Sequence, residues 1–350
     1  MKAKSKVSIL TSLFITLSPI FSLLLTGCGQ NTTPVSQTGI YFDTAITITI
    51  YDSLPTDRSN EIFQQCFSLC QNYDKMLSRT KEDSDIWKIN HAGGRPVEVH
   101  PETVQLLQKA LHYCTETDGT VDITIAPLSA LWNFSSENLT ITEQNTPPMP
   151  PAQSQIQKLL PHVDYHNVHI NGTTVTLSDP DAALDLGCIA KGYIADRLKE
   201  YLVSQEIQSA IIDLGGNLLT LGNKPDGSDF TLGIRRPFDA HNTSMVSLSV
   251  SDASLVSSGV YERYYELDGV RYHHLLNTAT GLPENNGLLG VTILSASSAE
   301  GDILSTACFL LGLEKGMAYV ESLPAVEAVF ITEDYEIHTS SGLSGFLQKR

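Results

Sequence analysis

Apolar and polar side chains alternate in residues 46–50, where isoleucines at 46, 48 and 50 are separated by threonines. This period of two predicts a β-strand with one buried face. In residues 57–77 the apolar positions recur at helical spacing, which predicts an amphipathic α-helix. A second helix is predicted after Pro101, because proline suits the first helical turn, and it should end near Asp118.

Strand patterns dominate the second half of the chain. Residues 168–175 read as a hairpin, since Asn171-Gly172 lies between two alternating runs. One helix is predicted after Gly192 and another around Asp302. Further strands are predicted at residues 210–221, 230–235, 246–250, 270–276, 291–295 and 328–332. Because helices and hairpins mix without strict βαβ alternation, the predicted fold class is α+β, with mixed, largely antiparallel sheets and packed helices.

The first 28 residues have the pattern of an export signal. Three lysines within the first six residues precede an apolar run, which ends in Leu25-Thr26-Gly27-Cys28. Small residues before such a cysteine are typical of a lipoprotein, in which the thiol receives a diacylglycerol; a transmembrane anchor is the alternative. We therefore predict a lipoprotein signal peptide at 1–27, a flexible tether at 28–39 after lipidated Cys28, and one large folded domain at 40–350. Within that domain, residues 135–154 are expected to be a surface excursion.

Charge and cysteine content narrow the function classes. The formal net charge is −17, and removal of the three signal lysines would lower it to −20. Such a chain is a poor candidate for nucleic-acid binding, and the lipid anchor, not charge, would hold it at the extracytoplasmic face of the membrane. Five cysteines remain besides Cys28, an odd number that argues against a full disulfide framework. Cys66 and Cys70 lie four apart on an apolar helix face, which favours buried thiols over a metal pair.

Two segments carry candidate chemistry. Residues 185–192 place Asp185 before a glycine turn and Lys191 after it, at a predicted strand-to-helix junction. Asp302 and Thr306 are four apart in a helical pattern, so they share one face. A carboxylate and a hydroxyl suit a hard cation with oxygen ligands, and such a cation beside a glycine turn and a lysine suits a pyrophosphate. The first segment is not a P-loop, because Gly192 stands where that motif has serine or threonine.

Four further motifs accompany these two in the chain. They cover residues 117–124, 213–217, 258–263 and 272–283. From about Tyr41 to the C-terminus, the ordered set resembles the ApbE family of FAD:protein FMN transferases. The resemblance implies a two-lobed single catalytic unit that binds Mg²⁺ and uses FAD as substrate. It also implies transfer of FMN to a threonine or serine hydroxyl of an acceptor protein through a phosphoester bond, with release of AMP.

The resemblance also assigns residues. The metal ligands would be Asp302, Thr306 and the backbone carbonyl of Cys188, and His274 would be the general base. Adjacent residues on a strand point to opposite faces, so only one of the two histidines can face the site, and the family pattern favours His274 over His273. The chain departs from the family at Thr80, where an aromatic residue is usual, and at Asn277-Thr278, where relatives usually have Asp-Pro or Asn-Pro. The positions implied to contact FAD are Phe42, Thr80, Thr120, Val121, Asp122, Asp185, Lys191 and Leu275.

Other functions stay open at this level. The same site with water as nucleophile would be a Mg²⁺-dependent FAD pyrophosphatase that releases FMN and AMP. A non-catalytic flavin-binding lipoprotein is a second alternative, although it would not need both Asp302 and Thr306. A general solute-binding lipoprotein is a third. By resemblance, the acceptor would be an Rnf-type or sodium-pumping NADH:quinone oxidoreductase subunit, or an exported FMN-binding-domain protein.

Overall fold

The computed structural model describes residues 33–135, 139, 148–239, 241 and 243–347. Residues from Pro34 onward cluster as one compact unit. The predicted signal peptide, Cys28 and most of the surface excursion at 135–154 lie outside the described residues. The predicted α+β class is confirmed, because helices pack on sheets whose paired strands run antiparallel.

The described residues contain seven α-helices and three short 3₁₀ segments. The α-helices are α1 (Thr56–Leu77), α2 (Asp85–Asn90), α3 (Pro101–Glu116), α4 (Ala126–Trp132), α5 (Gln153–Leu159), α6 (Ala190–Ser204) and α7 (Ser298–Ser322). The 3₁₀ segments are Leu160–His162, Tyr165–Asn167 and Ser341–Gly345. Helices α1, α3, α6 and α7 are the four predicted from apolar spacing.

The strands of the described residues form one large sheet and three small ones. They are β1 (Val35–Tyr41), β2 (Thr44–Ile50), β3 (Val97–Glu98), β4 (Val168–Asn171), β5 (Thr174–Leu177), β6 (Ala210–Leu214), β7 (Asn217–Leu221), β8 (Phe230–Arg235), β9 (Ser244–Val250), β10 (Ser254–Gly259), β11 (Tyr264–Leu267), β12 (Val270–His273), β13 (Leu288–Ser295), β14 (Glu327–Thr332) and β15 (Ile337–Thr339). The large sheet has the order β1-β2-β6-β7-β10-β13-β14-β15, and β3-β5-β4, β8-β9 and β11-β12 form the small sheets.

The main core lies between the large sheet and helices α1, α6 and α7. Strand β2 buries alternate residues, as the isoleucine–threonine pattern predicts, whereas β13 is buried along its whole length. Helix α7 is apolar and long enough to cross a membrane by composition, but it packs on β10 and β13 in this core. Gly312, with φ 78°, breaks its helical backbone.

Three sequence predictions need correction. Residues 210–221 are two strands, β6 and β7, joined by a turn in which Gly215 and Gly216 both have positive φ. Strand β12 ends at His273, three residues earlier than expected. Residues 35–39 of the predicted tether belong to β1, which pairs with β2 along its full length. Strand β1 is an edge strand with no fully buried residue, so its sequence lacks the alternation of apolar and polar positions that predicts a strand.

A smaller hydrophobic cluster includes residues of hairpin β11–β12. Its buried members are Leu128, Trp132, Phe134, Ile156, Tyr265 and Leu276. Trp132 Nε1 donates to the Gly281 carbonyl at 2.8 Å, which fixes the turn after β12. This cluster therefore anchors the loop that follows His274.

Candidate active site

The site forms where the first turn of α6 meets the first two turns of α7. Asp302 Oδ2 accepts the backbone N–H of Gly192 at 2.9 Å, and Oδ1 lies 3.6 Å from Lys191 Nζ. A Cβ at Gly192 would lie 2.1 Å from the Ser298 carbonyl oxygen, so only glycine allows this approach. Gly192 therefore allows the two helices to come together.

The Cys188 carbonyl lies just before α6, which begins at Ala190. The Gly192 N–H belongs to the first turn of that helix, where backbone N–H groups have no acceptor within the helix, and it donates to Asp302 instead. Burial, followed by nearby Cys114, Asp302 and Asp185, raises the pKa of the Cys188 thiol well above its usual value, so the thiol itself stays protonated.

Asp185 stands on the other side of the glycine turn. Its Oδ1 accepts the N–H of Gly187 at 2.9 Å, and its Oδ2 lies 3.1 Å from Arg79 Nε. Its own N–H donates to the Ile123 carbonyl at 2.8 Å, which ties the turn to the 117–124 motif. Sequence analysis missed Arg79, because an arginine in a polar loop carries no pattern that distinguishes it.

The two adjacent histidines have different surroundings. His273 is buried, with Nε2 3.0 Å from the Glu284 carbonyl and Nδ1 3.3 Å from the Leu275 N–H. Both ring nitrogens are thus in use, and burial lowers its pKa to about 4. His274 lies just beyond β12, with Nδ1 3.4 Å from the Arg263 carbonyl. A carbonyl only accepts, so Nδ1 carries the proton and Nε2 keeps its lone pair.

Burial and nearby positive charges keep the His274 imidazole neutral. Burial is the main cause that lowers its pKa to about 3, followed by Arg263 and His273, with a smaller contribution from Lys191. A neutral imidazole with a free Nε2 lone pair is the form that a general base requires.

The residues at 120–122 fall into two groups. Thr120 lines a cavity of about 210 Å³ together with Asn277 and Thr278. Asp122 is buried, and its carboxylate accepts bonds from Thr124 and from the Tyr165 N–H. Val121 is part of the main core. Asp122 and Val121 could therefore contact a ligand only through their backbone atoms.

The remaining predicted FAD contacts lie at the edges of this region. Phe42 is in the β1–β2 turn with φ 53° and packs against the main core. Thr80 is exposed, next to Arg79 in the chain. Leu275 is buried beside His274, and its carbonyl accepts the Glu284 N–H at 2.9 Å. The contacts described above join Asp302 to Lys191 and Gly192, and Asp185 to Gly187 and Arg79. The His274 side chain contacts the Arg263 carbonyl, and no contact described above includes Phe42.

Thr306 completes the oxygen-rich face of α7. Its Oγ1 lies 3.2 Å from Ser258 Oγ at the end of β10. Carboxylate, hydroxyl and carbonyl oxygens are the ligand types that Mg²⁺ takes, and cationic side chains stand beside them. A hard cation next to positive charges suits phosphoryl-type transfer. Fold and site thus define the class as a phosphoryl-type transferase on a largely antiparallel α+β framework.

Comparison with known proteins gives the family. The family model described as "ApbE family" matches residues 42–330. A FAD:protein FMN transferase of Treponema pallidum is 32% identical over 324 residues, covering 88% of this chain and 87% of the relative. One of Klebsiella pneumoniae is 37% identical over 278 residues, covering 79% and 83%. This chain belongs to the ApbE family.

Solved structures agree with this assignment. The crystal structure of the ApbE protein of Thermotoga maritima superposes with a TM-score of 0.81 at 27% identity, covering 91% of this chain and all of that one. The flavin transferase ApbE of Vibrio cholerae superposes with a TM-score of 0.79 at 26% identity, covering 90% and 99%. The resemblance recognised in the sequence motifs is therefore confirmed for family and fold.

Proposed function

We propose that this protein transfers FMN from FAD to a threonine or serine hydroxyl of an acceptor protein and releases AMP. The observation that carries the proposal is the junction of α6 and α7, where Asp302 meets Lys191 and the Gly192 N–H. Family membership and the named activity of its relatives support the same reaction. Protein flavinylation is thus the function that fits both the site and the family.

We propose Mg²⁺ as the metal, held by Asp302, Thr306 and the Cys188 carbonyl. The buried Asp302 carboxylate has one oxygen engaged by a backbone N–H, so the other can face a cation and Lys191. When bound, the cation would neutralise charge on the pyrophosphate oxygens. All three ligands are oxygen atoms, as a hard cation requires.

In the proposed reaction, the acceptor hydroxyl oxygen attacks the FMN-side phosphorus, and the bond from that phosphorus to the bridging oxygen breaks. AMP departs with that oxygen. His274 takes the hydroxyl proton at Nε2, while its Nδ1–H stays directed at the Arg263 carbonyl. Lys191 and Arg263 provide positive charge beside the histidine, which favours an anionic substrate.

The reaction can be tested with purified protein, FAD, Mg²⁺ and a candidate acceptor. Covalent transfer gives a fluorescent acceptor band in a denaturing gel together with equimolar AMP. AMP and FMN without a labelled acceptor would instead indicate an FAD pyrophosphatase. FAD binding with neither product would overturn the catalytic proposal and leave a flavin-binding protein. The acceptors to try first are Rnf-type and sodium-pumping NADH:quinone oxidoreductase subunits and exported FMN-binding-domain proteins.

We further propose that Cys28 carries a lipid that holds the protein to the extracytoplasmic face of the membrane. The lipobox-like sequence before it supports this. Because β1 begins at Val35, the connection from Cys28 is short and spans at most about 25 Å when extended. Cys28→Ser should give an unprocessed precursor. Recovery of the wild-type protein without acyl groups in the aqueous phase of a detergent partition would contradict the proposal.

A further inference from the structure

The hydroxyl groups of Thr306, Ser258 and Ser305 form a chain of hydrogen bonds at the proposed metal site. Thr306 Oγ1 is 3.2 Å from Ser258 Oγ, and Ser258 Oγ is 2.8 Å from Ser305 Oγ. Ser305 Oγ in turn donates to the Asp302 carbonyl at 2.8 Å. The row therefore begins at one proposed ligand and ends on the backbone of another. Ser258 lies on β10, so it links the sheet to α7.

The direction of each hydrogen bond follows from the number of protons. A serine or threonine hydroxyl has one proton to donate and two lone pairs. Ser305 gives its proton to the Asp302 carbonyl, so its oxygen must accept the proton of Ser258. The Ser258 oxygen can then only accept from Thr306. Thr306 thus points its proton at Ser258 and turns its lone pairs away from it.

We propose that Ser258 is a positioning residue for the metal: it takes the Thr306 proton and so orients the Thr306 oxygen lone pairs toward the cation. The inference rests on the proposed metal site and deepens it. Ser305 and Asp302 are almost fully buried, so water does not compete for the hydrogen bonds at this end of the chain. Thr306 is partly accessible, so its oxygen can reach a cation. In a low-dielectric region, a chain of hydrogen bonds is stronger than its separate parts.

The neighbouring residue supplies a matched control. Ser257 precedes Ser258 on β10, and its hydroxyl bonds to Thr292 Oγ1 at 2.8 Å on the adjacent strand β13. Ser257→Ala and Ser258→Ala each remove one hydroxyl from the same strand. The first loses the hydrogen bond to Thr292, whereas the second loses the bonds to Thr306 and Ser305.

The test is a titration of the protein with Mn²⁺, followed by EPR of the free ion, with and without FAD. Groups that orient metal ligands typically contribute about 10- to 100-fold in metal affinity. We expect Ser258→Ala to weaken Mn²⁺ binding by that factor and Ser257→Ala to bind as the wild type does. Thermal unfolding should give similar midpoints for both variants. Ser305→Ala removes the acceptor of the Ser258 hydroxyl proton and should also weaken Mn²⁺ binding. This variant replaces Ser258→Ala in the test if Ser258→Ala does not fold.

Asp302→Asn separates this inference from the proposed metal site. Unchanged Mn²⁺ binding in Asp302→Asn would overturn the metal assignment, and the inference with it. Weakened binding in Asp302→Asn together with wild-type binding in Ser258→Ala and Ser305→Ala would overturn the hydroxyl chain alone. Equal weakening by Ser257→Ala and Ser258→Ala would also overturn it, because a general effect on β10 would then account for the result.

Discussion

Helices α1 and α7 each carry a pair of potential metal-ligating side chains four residues apart, but the two pairs have different surroundings. Cys66 and Cys70 on α1 are fully buried among apolar neighbours, and burial raises both thiol pKa values to about 12. Asp302 on α7 meets an ammonium group and a backbone N–H, and Thr306 meets the hydroxyl of Ser258.

The difference shows what helical spacing determines and what it leaves open. An i,i+4 pair shares a face on any helix. Whether that face binds an ion depends on what other elements bring to it. The α1 face meets the core, where a thiolate would lack a partner; the α7 face meets the first turn of α6 and the end of β10. The surroundings, more than the pair, decide the chemistry.

The largest effect on activity is expected when the charge of Asp302 is removed. Asp302→Asn keeps an oxygen for the Gly192 N–H but removes the charge that faces Lys191 and the proposed cation. A metal stabilises phosphoryl transfer by several kcal/mol, so we expect kcat/KM for flavinylation to fall by roughly 10³- to 10⁴-fold. The measurement is acceptor flavinylation at fixed FAD across a range of Mg²⁺ concentrations.

Two controls accompany this variant. Asp268→Asn removes an exposed carboxylate in the β11–β12 turn and should leave the rate unchanged. A chelator should stop the wild-type reaction, and excess Mg²⁺ should restore it. If Asp302→Asn keeps the wild-type rate, or if the reaction proceeds fully in chelator, the α7 pair is no more a metal site than the α1 pair.

Sequence reasoning located much of the fold because the pattern of burial was local. Strand β2 and helices α1, α3 and α6 each have one apolar face, and their spacing alone indicated them. It also recognised the family, since six motifs occur in the same order. It failed at β1, whose residues are mostly exposed, and at the β6–β7 turn, where two glycines reverse a run that reads as one strand.

The arrangement of the site depended on contacts between distant segments, which no local pattern encodes. Ser258 lies 48 residues from Thr306 in the chain, yet their oxygens are 3.2 Å apart. The role of Gly192 follows from a backbone atom of Ser298 that would meet its Cβ. Arg79 reaches Asp185 from a loop. The residues could be nominated from the sequence, but their partners could not.

His273 and His274 provide a second comparison, between adjacent residues of the same type in different surroundings. His274→Asn removes the free Nε2 and should slow flavinylation by about 10³-fold, within the range usual for a positioned base. His273→Asn should affect the rate much less, because both nitrogens of that ring serve the fold. Since the pKa of His274 is lowered to about 3, this histidine should cause no loss of kcat/KM between pH 8 and pH 5.

Single-turnover flavinylation at saturating FAD compares the two variants directly. FAD affinity should change little in His274→Asn, since the effect is on the chemical step. A larger defect in His273→Asn, or wild-type rates in both, would show that the role assigned to His274 is wrong.

Burial of His273 should make the free energy of unfolding sensitive to acid. His273 stays neutral in the fold down to about pH 4, whereas it takes up a proton near pH 6.5 in the unfolded chain. The unfolded state therefore binds more protons between these values. The free energy of unfolding should fall as the pH drops from 6.5 to 4, by about 3 kcal/mol from this residue. Urea unfolding at pH 7 and pH 4.5 measures it.

His273→Asn should flatten this pH dependence, because the residue no longer titrates. His169→Asn, at an exposed position on β4, is the control and should retain the slope of the wild type. A slope that is unchanged in His273→Asn would place the acid sensitivity elsewhere in the chain.

The smallest effect is expected at the pair on α1. Cys66→Ala removes one buried sulfur atom from the core and should lower the free energy of unfolding by about 1 kcal/mol. The flavinylation rate should not change, because burial holds both thiols in the protonated form that does not ligate metals. Urea unfolding and flavinylation assays of Cys66→Ala and Cys70→Ala measure both quantities. A loss of activity or of Mn²⁺ binding in variants that remain folded would mean that the α1 pair is functional, and that core surroundings do not separate it from the pair on α7.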